Sequence, residues 1–154
     1  MATILFNEIV FGPVHSRRMG TSLGMNLLPY DGKLCSFDCI YCECGLNKDF
    51  RTRTNLPDRV SVRAALENRL KSLLKKKVDL DVITFAGNGE PTIHPEFEGI
   101  IDDTIALRDR YYPKTKISVL SNGVHLNKTG VFNALKRVEN PILKLDSAFD
   151  ETVR

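Results

Sequence analysis

Leu80-Asp-Val-Ile-Thr-Phe-Ala-Gly-Asn-Gly-Glu-Pro91 decides the fold. A short apolar run, Leu80 to Phe85, reads as a buried strand, and Gly87 and Gly89 follow it directly with the composition of a turn. On its N-terminal side, from Ser61, the leucines fall at Leu66, Leu70, Leu73 and Leu74, the spacing of one helical face. Lys75, Lys76 and Lys77 close that helix where the dipole favours cations. On its C-terminal side Pro95 suits the first turn of a second helix, and Phe97, Ile100, Ile101 and Ile105 give its stripe up to Tyr111-Tyr-Pro113. Lys116 to Leu120 then reads as a strand, Val131, Phe132, Leu135 and Val138 as a helical face, and Ile142 to Leu145 as a last strand. Upstream, Ser22 to Leu28 reads as a strand ending at Pro29-Tyr-Asp-Gly32. Four strands alternating with helices predict an α/β fold of parallel strands, with functional residues at the strands' C-terminal ends.

The strand over 22–28 delivers Cys35-Ser-Phe-Asp-Cys39-Ile-Tyr-Cys42 from its C-terminal end. Three thiols at C-x3-C-x2-C spacing supply three corners of one four-iron four-sulfur cubane and leave the fourth iron open to another ligand. Cys35, Cys39 and Cys42 are therefore the expected metal ligands. Cys44, two residues on, offers a fourth thiol. Zinc is the competing assignment, but zinc sites usually draw paired ligands from two places, and the sequence has no second pair.

With Tyr41 just before the third cysteine, this motif resembles the signature of the radical S-adenosylmethionine (SAM) enzymes. Thr84-Phe-Ala-Gly-Asn-Gly-Glu-Pro91 resembles that superfamily's glycine-rich SAM motif, and Val119-Leu-Ser-Asn-Gly123 its third-strand motif. Gly12-Pro-Val-His-Ser-Arg-Arg-Met-Gly20 with Ser22-Leu-Gly-Met-Asn26 is similar to a branch that includes wyosine-type tRNA-modifying enzymes, although the first thirty-four residues lack the further cysteines those carry. The resemblance implies a partial (β/α) barrel of parallel strands, here ending after about four βα units, so that residues 1–154 form a single core domain, the N-terminal part of a longer chain. It implies a 4Fe-4S cluster and SAM as cofactors, a flavodoxin- or ferredoxin-type low-potential electron donor, and cleavage of SAM to a 5'-deoxyadenosyl radical that abstracts hydrogen from a substrate. The resemblance leaves Cys44 spare, because it needs the fourth iron free. Gly87, Asn88, Gly89 and Glu90 are then expected against the cofactor, Glu90 facing its ammonium group. Ser121 and Asn122 face its carboxylate or ribose, or form an ordinary turn; Tyr41 lies by the adenine and Phe37 shields the cluster, or both simply pack. Lys144 and Asp146 share a side of the last strand and either pair with each other or contact the ligand. Arg17 and Arg18 hold an anion or are solvated. His15, His94 and His125 are scattered, and His94 reads as a capping or packing residue.

Composition sets the outer bounds. The 154 residues are 42% hydrophobic and 27% charged, an ordinary globular balance, and the net charge of +3 does not support a nucleic-acid surface. The N-terminal residues lack a basic segment followed by a long apolar run, and four cysteines confined to 35–44 suit a reducing compartment, so the expected location is cytoplasmic, with no membrane partner. A non-catalytic iron–sulfur or zinc module that presents an interaction surface is the reading from another class.

Overall fold

The computed structural model describes residues 4–49 and 55–145. They form one five-stranded sheet, β1 (Val10–Ser16), β2 (Gly20–Met25), β3 (Val82–Phe85), β4 (Lys116–Ser121) and β5 (Asn140–Leu143), in the order β1-β2-β3-β4-β5. Strands β2 to β5 are parallel, joined through α1 (Arg59–Lys75), α2 (Phe97–Tyr111) and α3 (Thr129–Leu135). The α/β alternation read from the sequence is thus present, with two corrections. There are five strands rather than four, and β1 pairs antiparallel with β2 as a hairpin. The ladder shifts register between Phe11 and Val14, where Gly12 takes a φ of +90°. A Gly-Pro pair inside a strand reads as a breaker, which hides an edge strand that tolerates it.

Strand register explains the core. Leu23, Ile83 and Ile117 stand side by side across β2, β3 and β4, as do Met25, Phe85 and Val119. All six belong to one buried cluster with Val62, Leu66, Leu70 and Leu73 of α1, Phe97, Ile100, Ile101 and Leu107 of α2, and Val131, Ala134 and Leu135 of α3. The helices therefore cover one face of the sheet. The alternate positions place Gly24, Thr84, Ser118 and Asn140 in a row on the other face. There Ser22 and Thr84 share a hydrogen bond of 2.8 Å, Ser118 donates to the Asn140 carbonyl, and the Phe11 ring lies where a side chain on Gly24 would stand.

The helix ends follow their sequences. Asp58 caps α1 by accepting from the Ser61 amide at 2.7 Å. At the other end Val78 N–H donates to Leu73 and Lys77 N–H to Leu74, with Lys77 at a φ of +54°, the paired closure of a Schellman motif. Leu74 and Phe132, expected on buried faces, are 43% and 49% exposed; Leu73 faces the core as expected, and Ala134 takes the buried place on its helix beside Val131 and Leu135. Pro95 lies before the α2 cap Glu96; the proline at a helical first position is Pro91, opening a single 3-10 turn over Pro91–Ile93. The last strand begins two residues earlier than expected because Pro141, which lacks an N–H, is accommodated at the β5 edge.

Among the described residues no helix is long and apolar enough to cross a membrane. Truncating Phe85, which is fully buried, is expected to cost about 3–5 kcal/mol, against less than about 0.5 kcal/mol for Val60→Ala on the exposed side of α1. Urea unfolding of both variants tests this, and equal midpoints would contradict the assigned core.

Candidate functional site

Three segments leave the C-terminal ends of β2, β3 and β4 and are tied to one another by hydrogen bonds. After β2 the chain turns at Asn26, wholly buried, whose side-chain oxygen accepts from the Leu28 and Asn88 amides. After a loop through Tyr30 it returns alongside the segment that follows β3, pairing Leu34 with Gly89. Leu34 N–H donates to the Asn88 carbonyl at 2.8 Å, and Glu90 N–H to the Leu34 carbonyl at 3.0 Å. Gly89 sits at a φ of +137° with the Leu34 carbonyl where a Cβ would stand, and Gly87, at +154°, meets the Asn26 side chain in the same way. Both glycines are required by close backbone approach rather than by a turn alone.

Glu90 carries the connection to β4. Its side chain, 2% exposed, accepts from Thr92 N–H and Thr92 Oγ at 3.2 and 2.5 Å, from Ser121 Oγ at 2.8 Å and from Asn122 N–H at 2.7 Å. Four donors converging on one buried carboxylate compensate its desolvation. Asn122 then closes the circuit, its side-chain amide donating to Cys35 Sγ at 3.7 Å. The cysteine loop, the glycine-rich segment and the end of β4 are one connected structure.

The cysteine loop has its own internal frame. Asn47 accepts from Cys35 N–H and donates to the Cys35 and Phe37 carbonyls, while its own amide donates to Asp38 at 2.7 Å. That amide, with Lys33 as a further contributor, holds the Asp38 carboxyl below the usual carboxylate range. Lys33 is buried and donates to Asp38 and to the Gly45 carbonyl at 3.1 and 3.0 Å. Burial works to discharge it, but Asp38 and the neighbouring Cys42 and Cys35 outweigh burial and raise its pKa. Cys35, Cys39 and Cys42 are partly exposed and free. Burial raises the Cys35 thiol, and pushes the Cys44 thiol up to about 11. Cys44 is 8% exposed and donates to the Gly87 carbonyl at 3.4 Å, so it braces the glycine-rich segment.

The remaining candidates divide. Lys144 lies over the Tyr41 ring at 3.6 Å, and its amide donates to the Ser121 carbonyl, so both residues border the same loop. Asp146, expected on the same side of the last strand as Lys144, lies outside the described residues. The Asn88 side chain is wholly buried and fully spent on Phe6 and the Pro29 carbonyl, and its backbone amide and carbonyl on Asn26 and Leu34, so its polar groups hold the segment in place. Phe37 is half-buried in the loop, and Ser36 meets His125 at 3.5 Å. Arg17 and Arg18 sit in the β1–β2 hairpin at the opposite end of the sheet, where Arg18 lines a cavity of about 1530 Å³ with Asp81, Lys116 and Glu139. They do not join the cysteine site. His94 has the packing role expected: Nε2 donates to the Pro57 carbonyl at 2.8 Å and Nδ1 accepts from Glu96 N–H, which fixes the neutral Nε2–H tautomer.

Asn26, Lys33, Asp38 and Asn47 carry the frame and were not singled out on sequence. Their only signal is position, a polar residue directly after a strand or within the cysteine loop. Among the described residues no three thiol, imidazole or carboxylate groups already converge as a metal site. The donor set nevertheless fits an iron–sulfur cluster: three free, partly exposed thiols on one loop, with the fourth turned to a carbonyl.

The chain resembles several known proteins over nearly its whole length. It is 34% identical over 145 residues to a protein named GTPase Obg from Brachyspira hyodysenteriae, covering 94% of this chain and 20% of that one. It is 35% identical over 139 residues to a UPF0026 protein of Helicobacter pylori and 33% identical over 147 residues to a UPF0026 protein of Methanocaldococcus jannaschii, covering 90% and 94% of this chain. It spans 42% of the length of each of those two relatives. No protein-family model and no solved structure matches it.

Gly89→Ala is expected to cost about 1–3 kcal/mol and to release the cysteine loop, since a methyl group there meets the Leu34 carbonyl. Amide hydrogen exchange should then speed up at Leu34 and Glu90 ahead of the core strands. Unchanged protection at both amides would show that the pairing does not depend on the glycine.

Proposed function

We propose that the chain is the core of a radical SAM enzyme, its sheet part of a partial (β/α) barrel. The observation that supports this most is the closed circuit Leu34–Asn88/Glu90–Ser121/Asn122–Cys35, which brings the three motifs of the resemblance to one end of a parallel sheet. Bound together, a four-iron cluster and SAM supply reductive cleavage of the SAM carbon–sulfur bond, with an electron from a flavodoxin- or ferredoxin-type donor, to give a 5'-deoxyadenosyl radical that takes a hydrogen atom from a substrate.

The chain's own residues have defined tasks in that reading. Cys35, Cys39 and Cys42 hold three irons. Gly87 and Gly89, by letting the 87–89 backbone close on Asn26 and Leu34, hold that segment beside the cysteine loop, where the cofactor would bind. Glu90 offers its negative charge to the cofactor's ammonium group while it orders Ser121 and Asn122 for the carboxylate or ribose. Tyr41, with Lys144 stacked on it, borders the adenine side. The buried frame of Asn26, Asn88 and Asn47 keeps these groups in place and limits water at the centre.

The relatives' names neither add to nor replace this reading. The GTPase name belongs to a protein of which this chain covers one fifth, and the 154 residues contain no Gly-x4-Gly-Lys-Ser/Thr phosphate loop. A metal-bound interaction module is the second reading, favoured by Ile40 and Leu145, 94% and 82% exposed, on segments that meet at the Tyr41–Lys144 contact.

Anaerobic reconstitution with iron and sulfide separates these readings. The expected result is about one brown four-iron cluster per chain, lost in Cys39→Ala and kept in Cys44→Ala, and release of 5'-deoxyadenosine and methionine from SAM on reduction. Colourless zinc protein, or a verified reduced cluster with bound SAM and no 5'-deoxyadenosine, overturns the enzyme reading. In the loaded protein Glu90→Gln is expected to weaken SAM binding by at least about tenfold in calorimetry with iron content unchanged, since a charge-assisted hydrogen bond is worth about 1.5–3 kcal/mol. Equal affinities would remove Glu90 from the cofactor site.

A further inference from the structure

Lys33 is a cation buried inside the loop that carries the three thiols, and the assignments above give it no part in holding either cofactor. Its side chain is 1% exposed, a state lysine adopts almost only when paired. One amine spans the loop. It donates to Asp38, which lies between Cys35 and Cys39, and to the Gly45 carbonyl, which lies beyond Cys42. Asp38 in turn accepts from Asn47, and Asn47 brackets both the amide and the carbonyl of Cys35. Asp38 is the ion-pair partner of Lys33, but the Asp38 side chain is 43% exposed while the amine is buried, so the pair is unequally solvated and leaves positive charge within the loop to act on its other groups. The arms the amine spans are the ones that carry the thiols: Cys35 follows Lys33 by two residues, Asp38 directly precedes Cys39, and Gly45 lies three residues beyond Cys42.

We propose that Lys33 is a positioning residue for the iron–sulfur cluster, clamping the two arms of the cysteine loop and setting a positive charge against its thiolates. The proposal rests on the reading that Cys35, Cys39 and Cys42 hold that cluster. Two consequences follow from one side chain. The clamp slows release of iron, and the positive charge favours the reduced cluster, which carries one more electron than the oxidised one.

The test reconstitutes the unaltered chain beside Lys33→Met, Lys33→Arg and Asp38→Asn. It reads thermal unfolding, iron and sulfide per chain, the rate of iron loss to a ferrous chelator, and the midpoint potential by a redox titration followed by electron paramagnetic resonance. Lys33→Met should lose iron about tenfold faster and be reduced with an equilibrium constant about tenfold smaller, a shift of about 59 mV to more negative potential for one electron. Lys33→Arg, which keeps the charge, should recover most of that shift. Asp38→Asn, which removes a negative charge from the same place, should lose iron faster and move the potential in the positive direction. A folded Lys33→Met with the unaltered rate and potential overturns the proposal, as does Lys33→Arg that behaves no better than Lys33→Met. If Lys33→Met does not fold, Asp38→Asn decides, because its side chain is 43% exposed, and an unchanged rate and potential there overturns the proposal too. Failure of the unaltered chain to take up a cluster shows itself separately and overturns the cluster reading, and this proposal with it.

Discussion

The backbone approach of Leu34 to Gly89 is the constraint on which the candidate site depends. A parallel sheet places the ends of β2 and β3 side by side, but it does not bring a loop from one back onto the other. Here two main-chain hydrogen bonds do so, and they form only because residue 89 has no side chain and takes a φ closed to most others. Once Leu34 is fixed, Cys35 is fixed beside it. Glu90, whose amide makes one of those bonds, reaches from the same place to β4.

Buried polar groups rather than apolar packing define this end of the molecule. Asn26, Asn88 and Glu90 are nearly or wholly inaccessible; backbone partners meet the capacity of both asparagine side chains, and four backbone and hydroxyl donors converge on the Glu90 carboxylate. Satisfied networks of this kind are rigid, because any displacement exposes several unpaired groups at once in a medium of low dielectric. The helical face of the sheet has the opposite character, two rows of aliphatic and aromatic side chains under three amphipathic helices. The fold thus separates a packed apolar layer that supplies stability from a hydrogen-bonded rim that supplies position. On the proposed reading, that rim is what a cofactor held by loops needs.

The parts legible in the sequence are those governed by periodicity. The leucines of α1, the stripe of α2 and the runs at 80–85 and 116–120 express burial through spacing, and the structure places elements on each. The β1 strand was not legible, because Gly12 and Pro13 break its pattern and its bulge is a tertiary accommodation. At the site, the cysteine spacing and the glycine-rich segment were visible as motifs, whereas the residues that join them were not. Asn88 sits inside a motif and reads as a ligand-facing residue, yet its side chain serves Phe6, more than eighty residues away. Lys33 resembles any charged loop residue until its burial is seen. Hydrogen-bond partners across such separations leave no periodic trace.

Whether the three segments constitute one centre for a cluster and SAM is tested most directly by Mössbauer spectroscopy of the chain reconstituted with 57Fe, before and after saturating SAM. Three protein thiolates leave one iron of four without a cysteine, so the account predicts that SAM alters the spectrum of one iron in four and leaves three unchanged. Four irons that all keep their parameters while SAM is demonstrably bound would contradict it.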